Sequence, residues 1–132
     1  MSDDLMTIRQ MCDAFEVTPR TLRFYEAREL IFPHRRGQHR LYDRRDRARL
    51  KLILRGKRFG FSLEQIRQLL ELYQPGGANG SQIAATIAIA RDRLDDMERQ
   101  HAELQIAIAD LKNQLSDAEK RLAAASLEQP TG

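Results

Sequence analysis

The sequence predicts an all-α fold with a small β-wing, continued by one long helix. Three observations carry this expectation. The first 74 residues restart their apolar pattern in short pieces, each opened by a residue type that caps helices. Two short β-prone pieces lie among them, on either side of Gly37-Gln38. From Ile83 onward, apolar residues recur at alternating spacings of four and three without a break.

Taken in order, Thr7-Ile8-Arg9-Gln10 is a capping box that opens a helix with Ile8, Met11, Cys12 and Phe15 on its apolar face. Cys12 is therefore expected in the core. As the only cysteine it forms no intrachain disulfide and cannot alone supply a zinc or iron–sulfur site. Val17-Thr18-Pro19 closes this helix and opens the next, with Thr18 as N-cap and Pro19 at the first helical position, where a missing N–H costs nothing. Two short helices about three residues apart make a helix-turn-helix. The second, running to Arg28, buries Leu22 and carries Arg20, Thr21, Arg23 and Tyr25, a dense set of donors for phosphates and base edges.

Leu30-Ile31-Phe32-Pro33 and Arg40-Leu41-Tyr42 read as the β pieces of a hairpin around His34-Arg35-Arg36-Gly37-Gln38-His39. A basic wing beside a helix-turn-helix results. Asp43 then N-caps a third helix, in which Arg44, Arg47, Lys51, Arg55 and Arg58 form one cationic stripe and Leu50, Ile53 and Leu54 lie opposite. Such a stripe repels itself unless a phosphate backbone, the N-terminal acids or a partner subunit neutralises it. Gly60 ends this helix. Ser62-Leu63-Glu64-Gln65 caps a fourth, with Leu63, Ile66, Leu69, Leu70 and Tyr73 on its apolar side.

Pro75-Gly76-Gly77-Ala78-Asn79-Gly80 is the clear breaker cluster, so the expected division is a winged helix-turn-helix DNA-binding domain over 1–74, a linker over 75–80, a coiled-coil dimerisation helix over 81–126 and a disordered tail over 127–132. The heptad stripe runs through Ile83, Ile87, Ala90, Leu94, Met97, His101, Leu104, Ile108, Leu111, Leu115, Ala118, Leu122 and Ala125, and only His101 is polar. No second helix of similar length exists to cover it, which makes a homodimer the economical solution. Its interface is expected at Ile87, Leu94, Met97, His101, Leu104, Ile108, Leu111 and Leu115. Charge leaves the register open: an antiparallel pairing whose core residue numbers sum to 212 sets the flanking Arg91 against Glu119 and Glu98 against Lys112, but also Arg93 near Arg121, whereas the register summing to 205 would set Arg91 against Lys112. His101 sits at a core position of the heptad, as a register-setting polar residue or a pH-sensitive weak point.

Composition narrows the function. The 132 residues allow one domain with an appendage, and the formal net charge of +3 divides unevenly: residues 1–74 hold sixteen Lys/Arg against ten Asp/Glu, and residues 75–132 six against nine. Arg35 to Arg58 alone contains eleven basic residues and only Asp43 and Asp46. A polyanion partner for the N-terminal part is implied. No membrane span and no signal peptide are expected, so the chain reads as cytoplasmic. No nucleophile–base pair, metal cluster or glycine-rich phosphate loop stands out, and neither an enzyme nor a cofactor is expected.

These residues resemble the MerR family of bacterial transcription regulators. The likeness covers the first 73 residues through Thr7-Ile8-Arg9, the run Val17-Thr18-Pro19-Arg20-Thr21-Leu22-Arg23-Phe24-Tyr25-Glu26, Arg40-Leu41-Tyr42, and Gly60-Phe61-Ser62-Leu63-Glu64-Gln65-Ile66. It implies a dimer joined by an antiparallel pair of long helices, bound to a pseudo-palindromic operator in double-stranded promoter DNA. Transcription by RNA polymerase would be controlled by distorting that DNA. By position it implies DNA contacts at Arg20, Arg23, Tyr25, Arg36, His39, Arg40 and Tyr42, to which the donor reading adds Thr21. Two departures stand out: Glu29 replaces the glycine usual at the end of the recognition helix, and His39 an aromatic usual in the wing. The cysteines of metal- and redox-sensing relatives and a large drug-binding domain are not expected here. The likeness of short, cysteine-poor members to regulators of branched-chain amino-acid and acyl-CoA breakdown implies, where an effector acts at all, a small molecule or acyl-CoA.

Two other classes compete. An architectural DNA-binding protein would use the same basic stripe with little preference over random DNA. A coiled-coil adaptor would have no need of Arg35, Arg36 and Arg40 in a loop.

Overall fold

The computed structural model describes residues 4–72, 74, 76 and 79–128. Along the chain run β1 (Met6–Thr7), α1 (Ile8–Phe15), α2 (Pro19–Ala27), β2 (His34–Arg36), β3 (His39–Tyr42), α3 (Arg44–Arg58), α4 (Leu63–Leu72) and α5 (Gly80–Glu128). The fold is mostly helical, with a three-stranded antiparallel sheet in the order β1-β3-β2. Tyr73, half of the breaker cluster (Pro75, Gly77 and Ala78) and residues 129–132 of the expected tail lie outside the described residues.

Each helix starts on a local cap. The Gln10 amide donates to Thr7 Oγ1 at 3.1 Å while the Thr7 amide donates to Gln10 Oε1 at 2.8 Å. Thr18 accepts from the Thr21 amide with Pro19 in the first turn of α2. Asp43 and Asp46 exchange the same reciprocal bonds at the start of α3, as do Ser62 and Gln65 before α4 and Asn79 and Gln82 at α5. These bonds satisfy amides that a helix cannot pair internally.

The ends of α1, α2 and α3 follow one rule as well. The chain turns left-handed at Glu16 (φ 56°), Glu29 (φ 59°) and Gly60 (φ 83°). After each, the next amide reaches back five residues: Val17 to the Cys12 carbonyl, Leu30 to Tyr25, Phe61 to Gly56. This is the Schellman ending. Glycine adopts it freely, and the two glutamates adopt it at a steric cost.

The core gathers Met11 from α1, Leu22 and Tyr25 from α2, Leu30 and Ile31, Tyr42 from β3, Leu50 and Ile53 from α3, and Ile66 and Leu70 from α4. Ile8, Cys12, Phe15 and Leu54 pack against it half-buried. Between α3 and α4 the approach is close: a Cβ on Gly56 would stand 2.9 Å from Ile66 Cγ1.

The wing differs from its expected form in its first strand. Leu30–Phe32 does not pair; His34–Arg36 does, with Arg36 opposite His39 across Gly37-Gln38. Leu30 and Ile31 instead plug the core after the Glu29 turn, the Phe32 amide donates to Asp46 Oδ1 at 2.9 Å, and Pro33 has no amide to offer a ladder. Gly37, at φ 61°, supplies the positive φ that the first position of a two-residue II′ turn requires. β1, too short to announce itself in sequence, adds Met6 opposite Tyr42.

The chain forms two units, Met1–Ala90 and Arg91–Gly132. The N-terminal unit thus continues past the breaker cluster into α5, where Gln82, Ala85, Thr86 and Ile89 line a groove with Gln68, Glu71 and Leu72 of α4. The helix α5 itself is uninterrupted over 49 residues. None of the described helices is long and apolar enough to cross a membrane.

Candidate nucleic-acid interface

The Thr18 cap and the buried anchor Leu22 orient α2 so that Arg20 and Arg23 stand in solvent and Thr21 is half-buried, its hydroxyl 3.0 Å from that of Thr18. The Arg23 Nε–H makes only a long, 3.4 Å bond to the Pro19 carbonyl, which leaves most of the guanidinium available. Arg28 lies over the Phe24 ring at 5.0 Å, covering part of an exposed aromatic.

At the wing, Arg36 and His39 are exposed beside the Gly37-Gln38 turn. Lower in the wing, Arg35 and Arg40 face one another across the ladder, and both reach Glu26 of α2, at 2.9 Å and 2.8 Å. Burial pushes the Glu26 carboxyl toward neutrality, but the hydrogen bonds and charges of Arg40 and Arg35 outweigh that and hold its pKa below the ordinary value. A second tether joins His34 Nε2 to Asp43 Oδ2 at 2.8 Å. Burial raises the Asp43 pKa, but the Asp46 amide and His34 outweigh it, so the carboxyl lies below its ordinary value.

Tyr25 and Tyr42, expected among the DNA contacts, are core residues in this fold. Tyr25 is 3% exposed and Tyr42 not at all, and the Tyr42 hydroxyl is buried without a hydrogen-bond partner among the described residues. Burial, reinforced by Glu26, pushes the Tyr42 phenol up to about 12. Both rings belong to the core cluster, a role the aromatic motif does not distinguish from DNA contact. Arg40, half-buried and paired with Glu26, is likewise not a free donor.

Several other cations are committed to structure. Arg44 pairs with Asp4 at 2.8 Å, and Arg47 donates to the carbonyls of Asp4 and Tyr42. Arg49 donates to the Leu30 carbonyl at 2.7 Å and covers the Phe32 ring, its pKa lowered by burial and then by Arg45. The N-terminal acid Asp4 therefore neutralises one end of the α3 stripe. Lys51, Arg55 and Arg58, at the other end, line a groove with Asp13, Phe15 and Glu16 and form no ion pair among the described residues.

On α5 the expected interface positions are solvent-facing: Ile87 is 48% exposed, Leu94 52%, Leu104 59% and Leu111 61%, with His101 exposed among them. These heptad positions together leave a long apolar seam exposed along one side of the helix.

An exposed, cation-bearing second helix of a helix-turn-helix beside a basic hairpin defines a winged helix-turn-helix DNA-binding protein. Residues 6–72 match the family model described as the MerR HTH family regulatory protein, and residues 47–125 the one described as MerR, DNA binding. The chain belongs to the MerR family of DNA-binding transcription regulators, which are not enzymes. It is 37% identical over 100 residues to the HTH-type transcriptional regulator ZntR of Escherichia coli strain K12, covering 74% of this chain and 70% of that protein. Its fold is similar to that of HiNmlR, a MerR family regulator lacking the sensor domain, bound to promoter DNA, with a TM-score of 0.73, 21% identity and 96% and 97% of the two chains covered. It is also similar to the lead(II) complex of PbrR691 from Ralstonia metallidurans CH34, with a TM-score of 0.59, 26% identity and 82% and 86% covered.

Proposed function

We propose that the chain acts in the cytoplasm as a homodimer that binds a pseudo-palindromic promoter operator and distorts the DNA to control transcription by RNA polymerase. The observation that carries this reading is the exposed heptad stripe of α5, an apolar seam along a helix whose chain also holds a DNA-reading unit. An antiparallel pair of such helices buries both seams and holds two reading units apart, which matches a two-fold protein to a two-fold site. In this reading residues 1–74 bind DNA, 75–80 link, and 81–126 dimerise within a helix that α5 carries on to Glu128. Arg20, Thr21 and Arg23 enter the major groove while Arg36 and His39 reach the flanking backbone.

A small-molecule or acyl-CoA effector is part of this reading and rests on family resemblance alone. The lead of the PbrR691 complex is not carried over: the chain has a single cysteine, Cys12, and among the described residues no group of three His, Cys, Asp or Glu could hold a metal ion.

Hydroxyl-radical protection on the promoter fragment of the chain's own gene, compared with random DNA at equal salt, tests the proposal. Two protected patches about one helical turn or a multiple of it apart support it. Even protection on both DNAs identifies an architectural protein instead.

A further inference from the structure

The contact between α2 and the wing runs through one side chain. Arg35 and Arg40 are direct cross-strand partners, so two guanidiniums face each other on one side of a two-stranded ladder. Like charges in that position repel. Glu26 lies between them with each carboxylate oxygen on a different arginine: Oε1 accepts from Arg35 Nη2 at 2.9 Å, and Oε2 from Arg40 Nε at 2.8 Å. The Glu26 side chain is 19% exposed, that of Arg40 23% and that of Arg35 55%. An anion bridging two arginines in a half-dry site has the geometry in which those arginines would otherwise grip a phosphate.

We propose that Glu26 is a specificity-determining residue: it occupies Arg35 and Arg40 in place of a DNA phosphate and fixes the wing against the recognition helix. This deepens the reading of the wing as a DNA contact and rests on it. While Glu26 holds both arginines, neither adds to sequence-independent attraction for the backbone. The exposed tip, Arg36 to His39, is presented at one distance from Arg20 and Arg23, so helix and wing reach the duplex together only where the groove geometry suits both. Arg35, the more exposed partner, is the one placed to exchange Glu26 for a phosphate on a fitting site.

The test uses a duplex selected by the full-length wild-type protein from a random pool, and the same duplex scrambled. Wild type, Glu26→Gln and Glu26→Asp are titrated on both at several salt concentrations and melted without DNA. Glu26→Gln keeps the shape but loses the charge that holds two cations. It should bind the scrambled duplex roughly threefold more tightly, with a salt slope steeper by about 0.9 for each arginine released to a phosphate. Its preference for the selected duplex should shrink about tenfold. Glu26→Asp keeps the charge but, one methylene shorter, cannot span both arginines, and should fall between the two. Unchanged preference and slope in Glu26→Gln would overturn the proposal. So would parallel loss on both duplexes with a lowered melting temperature, which marks a purely structural pair. A wild-type protein that selects no duplex overturns the operator reading; titrations on a random-sequence duplex then still decide whether Glu26 restrains the arginines.

Discussion

The amide of Leu30 donates to the carbonyl of Tyr25 at 2.9 Å, across a turn whose pivot, Glu29, sits at φ 59°. That bond closes the recognition helix, and both partners of the turn are buried in the core. The position of the wing downstream depends on it, because Leu30 and Ile31 enter the core before the chain can rise into β2.

Glu29→Gly should therefore stabilise the protein. A left-handed L-residue costs about 1–2 kcal/mol, partly offset by the greater unfolded-state freedom of glycine. A net gain of about 0.5–1 kcal/mol raises the melting temperature by several degrees. Calorimetry that finds no gain would show the turn to be unstrained.

Tyr42→Phe separates a core role from a DNA contact. Removing a buried hydroxyl that has no partner relieves a desolvation cost of about 1 kcal/mol, so stability should hold or rise while DNA affinity stays unchanged. The pH dependence follows by linkage. The folded pKa of about 12 lies above the ordinary phenol value, so this group's contribution is fully present below pH 10 and lost as pH rises through 12. The phenylalanine variant should lose less stability over that alkaline window in denaturant titrations. A drop in affinity would restore Tyr42 to the DNA interface.

Arg23→Ala should weaken operator binding by about 1–3 kcal/mol without lowering the melting temperature, since the exposed side chain makes one long bond to its own helix. Matching losses of affinity and stability would make Arg23 structural.

Affinity should also fall steeply with salt. A dimer that touches about 6–10 phosphates loses roughly 10³ to 10⁵ in affinity between 50 and 200 mM salt. A flat response in fluorescence titrations would remove the exposed cations of α2, the wing and α3 from the interface.

Much of this architecture is legible in the sequence, because its signals are local. Thr7 with Gln10, Thr18 with Pro19, Asp43 and Ser62 each start a helix through atoms within three residues. The first wing strand is not legible, because its register depends on Asp46, fourteen residues away, taking the Phe32 amide. For the same reason Glu26 escapes notice: its role appears only when the hairpin brings Arg35 opposite Arg40 and lays both on α2. The burial of Tyr25 and Tyr42 is not legible either, since a shared motif marks positions without marking burial.

In the proposed dimer the heptad seam of α5 holds two DNA-reading units in register, and Leu104→Glu tests this most directly. Leu104 lies mid-seam and 59% exposed in the single chain; a glutamate there would bury an unpaired charge in each protomer of a dimer, at a cost of several kcal/mol. Light scattering for mass, run beside operator titration, should show a monomer that keeps its fold and binds a half-site weakly while losing the affinity of the full site. A monomer that still binds the full operator as tightly as the wild type would contradict the account.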